Sequence, residues 1–273
     1  MRFLKQIRYK LKYMARDLLF WYAGMDGPIY RWFTFTRYKP DAESVEAFMD
    51  VFSQSKKDFY LVQVGANDGM THDPVYKFIK RDHWHAILFE PQPAVFNRYL
   101  KPVYRNYPRV NPVNAAIGYE DGNAALYTIA FNQDRWATGL STFERTVLET
   151  TIEEGRLDKR LKRYGITPPE GIDDWIAPIE IAVRSFASTM LEHEINRIDL
   201  LMIDTEGFDH EVIKMVDLNA VKPSAIVFED THIAPHEYRS CMERLEEFGY
   251  ESHRIGPNTV AWQADIGQFI PWR

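Results

Sequence analysis

The 273-residue chain contains one cysteine, Cys241, which excludes an internal disulfide and any Cys-rich structural zinc site. It also lacks an apolar run near the roughly 20 residues that a membrane-spanning helix requires. Leu18 to Met25 carries no charge but is short, and no small-residue cleavage site follows it. These absences predict a cytoplasmic protein. There is no excess of positive charge either: the formal net charge is −6, which argues against a whole-protein electrostatic grip on nucleic acid. Internal repeats and low-complexity tracts are missing as well. The length fits one α/β domain with extensions.

The charge that is present is unevenly placed. Residues 1–40 hold nine Lys or Arg against Asp17 and Asp26, a net +7, so the remainder carries −13. Within residues 1–23, Leu4, Ile7, Leu11, Met14, Leu18 and Tyr22 recur at spacings of three and four. That spacing predicts a helix with one apolar face, and Arg2, Lys5, Arg8, Lys12 and Arg16 fall largely on the other. A basic amphipathic helix of this kind suits either an anionic membrane surface, at the inner face of the membrane, or docking on protein. Residues 1–54 are therefore read as an N-terminal extension and 55–273 as the main domain.

From residue 59 strand and helix alternate. Phe59 to Val64 is a short apolar run, Asp73-Pro74 opens a helix through Ile79, and Ala86 to Phe89 is a second strand. Pro93 opens another helix near Tyr99, and Val110 to Ala115 follows as a strand with Pro112 at its centre. Residues 132–178 break the rhythm and read as a helical insertion or cap, with one helix around 144–163. Trp136 and Trp175 there suit either an acceptor sugar or an ordinary core. The alternation then resumes with strands at 179–183, 198–203 and 225–228. Strands at 251–255 and 259–263 form a terminal hairpin across Gly256-Pro257-Asn258. The pattern predicts a doubly wound, mostly parallel sheet with one antiparallel strand.

Four sites at predicted strand ends carry chemistry. Val64-Gly65-Ala66-Asn67-Asp68-Gly69 is a glycine turn spaced Gly-x-x-x-Gly, without the middle glycine that admits a pyrophosphate. Glu90 follows Gly69 by 21 residues and ends the second strand, where an acid accepts hydrogen bonds from ribose hydroxyls. Asn114 closes the third strand, either as a reader of the adenine edge or as a turn residue. Asp204, Glu206 and Asp209 cluster around Gly207, and Glu229, Asp230 and His232 follow a later strand. Carboxylates or His232 there can accept a hydroxyl proton. Asp204 with Glu229 or Asp230 can also hold a divalent metal.

Together these motifs resemble the FkbM family of S-adenosylmethionine-dependent methyltransferases. The resemblance covers roughly 55–265 and rests on VQVGANDG (62–69) with THDP (71–74), LFEPQP (88–93), NAAIG (114–118), STF (141–143), IDLLMIDTEGFDHEVI (198–213) and IVFED (226–230) with His232. It implies a Rossmann-like class I methyltransferase fold with a seven-stranded sheet whose last strand is antiparallel. It also implies O-methylation of a hydroxyl on a sugar or glycoconjugate. By motif position, Gly65, Asn67, Asp68 and Gly69 would contact the methionine and ribose end of the cofactor. Glu90 would hold the ribose, Asn114 would lie near adenine, and Asp204 would line the transfer site; apart from the resemblance, Asp204 and Glu206, then Glu229 and His232, are the residues read as serving the acceptor side. Gln63 stands where family members commonly carry Asp. Two rival readings are a nicotinamide-dependent oxidoreductase on the same sheet and a non-catalytic adapter recruited to membranes by the basic helix.

Overall fold

The computed structural model describes residues 2–36 and 38–272, with side chains described from Ile7 onward. Arg2, Leu4 and Lys5 of the amphipathic pattern therefore lie outside the described side chains.

Seven strands form the main sheet: β1 (Tyr60–Val64), β2 (His85–Phe89), β3 (Val110–Val113), β7 (Leu200–Ile203), β8 (Ala225–Glu229), β9 (Tyr250–Ile255) and β10 (Asn258–Gln263). Their order is β3-β2-β1-β7-β8-β10-β9. The first five run parallel, and β10 is antiparallel to both β8 and β9. Strand order reverses between β1 and β7, so a crevice opens at their carboxyl ends. Register brings those ends level, since Val64 pairs with both Phe89 and Ile203, and Ile203 pairs with Phe228. The glycine turn, Glu90 and Asp204 thus emerge side by side.

Apolar residues alternate between the two faces of β1: Leu61 joins one core cluster and Val62 and Val64 the other. Burial on both faces is what a parallel sheet covered by helices requires. Pro112 is accommodated because β3 is an edge strand. The helix expected from Asp73-Pro74 starts later, at Tyr76–Asp82, because Asp73 turns inward: its Oδ1 accepts from the Val75 amide at 3.0 Å and from Gln63 Nε2 at 3.3 Å.

The strand expected at 179–183 does not belong to the main sheet. Strands β4 (Ala116–Gly118), β5 (Gly122–Ile129) and β6 (Ile176–Ser185) form a second sheet in the order β4-β6-β5. The long antiparallel β5–β6 pairing draws the two ends of the insertion together. Between them the single helix expected around 144–163 is two, Arg145–Glu153 and Asp158–Tyr164, separated by Gly155 at φ 67°. They enclose a small core of their own around Leu148, Leu157 and Leu161. Trp175 belongs to this core, with its ring 5.5 Å from Phe131 and its Nε1 donating to the Pro169 carbonyl.

Helix α1 (Arg2–Met25) docks in a way the apolar periodicity does not predict. Its buried side is Phe20, Ala23 and the stem of Arg16, not the apolar stripe. Phe20 and Arg16 cover the Tyr99 ring at 4.8 and 4.2 Å. Burying Phe20 stabilises this contact by roughly 1.5–3 kcal/mol. Lys80, fully buried, donates to the Ala23 carbonyl at 2.7 Å, placing a cation at the helix C-terminus. Leu11, Met14 and Leu18 remain 58–68% exposed. Among the described residues no helix is long and apolar enough to cross a membrane.

Candidate active site

The crevice at the β1/β7 switch point holds a cavity of about 670 Å³, within the usual range of small-molecule sites. Gly65, Asn67, Glu90, Asp204, Glu206 and His232 line it. Gly65 is obligatory on two counts. Its φ is +89°, and a Cβ there would lie 1.8 Å from the Asp204 carbonyl oxygen, so only glycine lets the ends of β1 and β7 approach. Asn67, also left-handed at φ 47°, presents a buried Oδ1 with no hydrogen-bond partner. A buried acceptor left open in this way suits a ligand donor.

Glu90 is 2% exposed and lines the same cavity. Its Oε1 accepts the Gln92 amide at 2.8 Å. Burial pushes its carboxyl up to about 7 despite that bond. Phe89, Ile117 and Leu126 supply an apolar wall. An adenosine group fits this set: a carboxylate for ribose hydroxyls, an open acceptor for a polar group, and a flat apolar surface for the base.

Asp68, Gly69 and Asn114 do not line the cavity. Asp68 is fully buried, accepts the Met70 and Thr71 amides at 3.0 and 2.7 Å, and pairs with Arg16 at 2.8 Å and Arg135 at 3.7 Å. It clamps α1 and the insertion to the glycine turn. Gly69 faces the Leu100 side chain, which a Cβ would meet at 2.5 Å. Asn114 Nδ2 donates to the Glu90 and Pro91 carbonyls at 2.8 and 3.1 Å, so it fixes the backbone that carries Glu90. Gln63, the departure from the family pattern, donates to Asp73. An aspartate at 63 would set two carboxylates against each other there.

On the transfer side, Asp209 turns inward and shapes the loop. Its Oδ2 accepts from the Thr205 hydroxyl at 2.7 Å and the Thr205 amide at 3.2 Å, and its Oδ1 from the Glu229 amide at 3.3 Å. That bracing supports Glu206 at φ 55°, an uncommon conformation for a non-glycine residue that costs about 1–3 kcal/mol. The result aims Glu206 beneath Gly139 of the insertion, where its Oε1 lies 3.6 Å from where a Cβ would stand. Desolvation, then repulsion from Asp209 and Glu229, pushes Asp204 up to about 6. Desolvation, then Asp204 and Glu229, pushes Glu206 up to about 7.

Of the metal candidates, Asp230 is committed elsewhere: it pairs with Arg254 and accepts the Thr259 hydroxyl at 2.7 Å. Among the described residues no three His, Cys, Asp or Glu side chains are grouped to hold a metal ion. Arg135, which the sequence reading does not single out, lines the cavity and opposes the rise in both acids. Only its place in the polar insertion opposite an acidic motif hints at it. Gln92 also enters, donating to the Thr138 carbonyl at 3.0 Å and accepting the Ser141 hydroxyl at 3.0 Å, which ties the insertion to the Glu90 loop.

A mostly parallel seven-stranded sheet whose last strand in sequence is antiparallel, with a cavity at its switch point, defines the class I Rossmann-like methyltransferase fold. The methyltransferase FkbM domain model matches residues 63–252. The chain belongs to the FkbM family of S-adenosylmethionine-dependent methyltransferases. Among solved structures it is similar to a methyltransferase FkbM from Methylobacillus flagellatus KT (12% identity, TM-score 0.45, covering 76% of this chain and 44% of that one). It is similar too to a precorrin-6y C5,15-methyltransferase from Geobacter metallireducens GS-15 (14%, 0.39, 80% and 87%). An O-methyltransferase from Bacillus cereus in complex with SAH also matches (9%, 0.38, 82% and 84%). No curated protein matches the chain significantly.

Proposed function

We propose that the protein O-methylates a hydroxyl of a sugar in a glycan or glycoconjugate. The observation that carries this reading is the meeting of two cavities. A second cavity of about 900 Å³ shares Arg135, Ser141, Thr142, Glu206 and His232 with the first, and Tyr13, Trp136 and Tyr164 line it without reaching the first. Aromatic rings and hydroxyl-bearing side chains beside paired carboxylates suit a sugar.

S-adenosylmethionine, when bound, supplies a methyl group on a sulfonium, open to in-line attack. Glu90, Asn67 and the Gly65 backbone are the residues that would hold it. The chain's own work is to place an acceptor hydroxyl at the shared wall and take its proton on Asp204 or Glu206. Carboxyls held near 6 and 7 are matched to accepting a proton near neutral pH. His232, standing over Gly207, offers a second acceptor at the rim. The test is methyl transfer to a panel of reducing-end-tagged oligosaccharides, followed by mass spectrometry. A 14-dalton gain on a sugar oxygen supports the reading, and transfer to a nitrogen or carbon acceptor alone overturns it.

We further propose that α1 and helix α2 (Pro28–Phe35) rest on the anionic inner face of a membrane. Ile7, Leu11, Met14, Leu18 and Met25 form one exposed stripe on α1, flanked by exposed Arg8 and Lys10. Ile29 and Phe33 of α2 are 76 and 78% exposed. An apolar stripe with a basic border matches a charged bilayer surface. Co-sedimentation with phosphatidylglycerol vesicles, lost in Leu11→Asp/Leu18→Asp, supports this. Equal pelleting of that variant overturns it.

A further inference from the structure

We infer that the second cavity is an acceptor site for an anionic sugar, one carrying a phosphate or a carboxylate. The inference rests on the methyl-transfer reading for what happens at the shared wall, but the anion site stands on its own residues. The cavity lies between α1, the loop after β1 and the two insertion helices. Five cationic side chains line it, Lys12, Arg16, Arg135, Arg156 and Arg160, against two carboxylates, Asp134 and Glu206. That concentration runs counter to a chain whose net charge is −6.

The five cations are not equivalent. Arg16 and Arg135 are held by Asp68, and Arg156 by Glu154. Lys12 and Arg160 have no carboxylate partner among the described residues. Lys12 Nζ lies 3.4 Å from the Tyr164 hydroxyl and 5.2 Å from the ring centre, and Arg160 donates to the Trp136 carbonyl at 3.2 Å. Each is therefore positioned by an aromatic residue of the cavity while its charge stays uncompensated.

Two open cations that line this cavity alone, with Glu206 and His232 on the wall it shares with the first, make a directional site. A fixed anion on the sugar would be drawn to Lys12 and Arg160, and a hydroxyl elsewhere on it would reach the acids that take the proton. A neutral glycan would leave both cations unanswered, and a polycationic acceptor would be repelled. The specificity is thus set by α1 and the insertion, while the chemistry is set by the sheet.

Calorimetry with S-adenosylhomocysteine present uses three probes: glucose 1-phosphate, a galacturonate trimer and neutral maltotriose. The phosphate and uronate arms separate the two sources of negative charge. At least one charged probe should bind at least tenfold more tightly than maltotriose, with an affinity that falls as salt rises. Lys12→Ala/Arg160→Ala should remove at least tenfold of that affinity. Maltotriose binding as tightly as both charged probes would overturn the inference, as would charged-probe affinity unchanged in the double variant. S-adenosylhomocysteine affinity, measured in the same proteins, tests the methyl-transfer reading separately. Lys12 and Arg160 do not line the cofactor cavity, so it should stay within twofold.

Discussion

The two cavities that meet at Glu206 and His232 are made of opposite materials. The cofactor cavity is built on loops at the ends of β1, β2 and β7 with part of the insertion over them, and its titratable side chains are mainly acids, of which burial pushes Glu90, Asp204 and Glu206 up to about 7, 6 and 7. The acceptor cavity is built from α1 and the insertion, and five of its seven charged side chains are cations. One is fixed by the backbone register of neighbouring strands, even where these are far apart in sequence, as Val64 and Ile203 are. The other depends on side-chain contacts such as Arg16–Asp68. A fold arranged this way keeps the transfer chemistry constant and lets appended elements choose the substrate.

The comparison breaks most sharply at Asp204. Asp204→Asn keeps the shape and removes the first of the proposed proton acceptors, and general-base loss costs on the order of 10²–10⁴ in rate. The expected outcome is a fall of that size in kcat with S-adenosylhomocysteine affinity within threefold. A parallel loss of cofactor affinity would show that the two regions are not separable at this residue. In the intact protein, kcat should rise as pH passes through about 6 to 7 and level off above, because Asp204 and Glu206 must be ionised to accept a proton.

A smaller effect is expected at the clamp between the regions. Arg16→Ala leaves Asp68 buried with two backbone donors and the more distant Arg135. Removing one partner of a largely buried pair that keeps these contacts should cost about 1–3 kcal/mol. Tm should fall by roughly 2–4 °C per kcal/mol. Calorimetry should find cofactor affinity little changed, since neither residue lines that cavity. A Tm equal to wild type would mean that α1 is an appendage and not a wall.

The same contrast explains what the sequence discloses. Each residue that lines the cofactor cavity from a strand end, Gly65, Glu90 and Asp204, is readable because an apolar run ends just before it. Roles within a motif are less readable, because they depend on which way a side chain turns. Asp68, Asp209 and Asp230 look as available as Asp204, yet each is consumed by amides, a hydroxyl or an arginine. The second sheet was hidden because β5 and β6 pair across the whole insertion, Ala124 with Ile181. The facing of α1 was hidden because apolar periodicity marks the stripe that stays exposed, while burial falls on Phe20 and Ala23, with Arg16 half-buried beside them.

The smallest predicted effect tests whether the cofactor cavity is held at a cost to the fold. Glu90 has its carboxyl pushed up to about 7 from an ordinary value of 4.5, chiefly by burial. Between those values the folded protein keeps a proton that the unfolded chain has released, so each rise in pH across the interval weakens the folded state. This stability is fully present below the unfolded value and is lost as pH rises through the folded one. Asp73, pushed up to about 7, acts in the same direction. The Tm of the ligand-free protein should therefore fall as pH rises from about 4.5 to about 7 and level off above. Glu90→Gln, which cannot ionise, should recover about 1 kcal/mol at pH 8, roughly 2–4 °C, with little change at pH 5. The same variant should bind S-adenosylhomocysteine at least tenfold more weakly, about 1.4 kcal/mol. A variant with lower Tm at pH 8 would instead make the Glu90 carboxylate a net support of the fold.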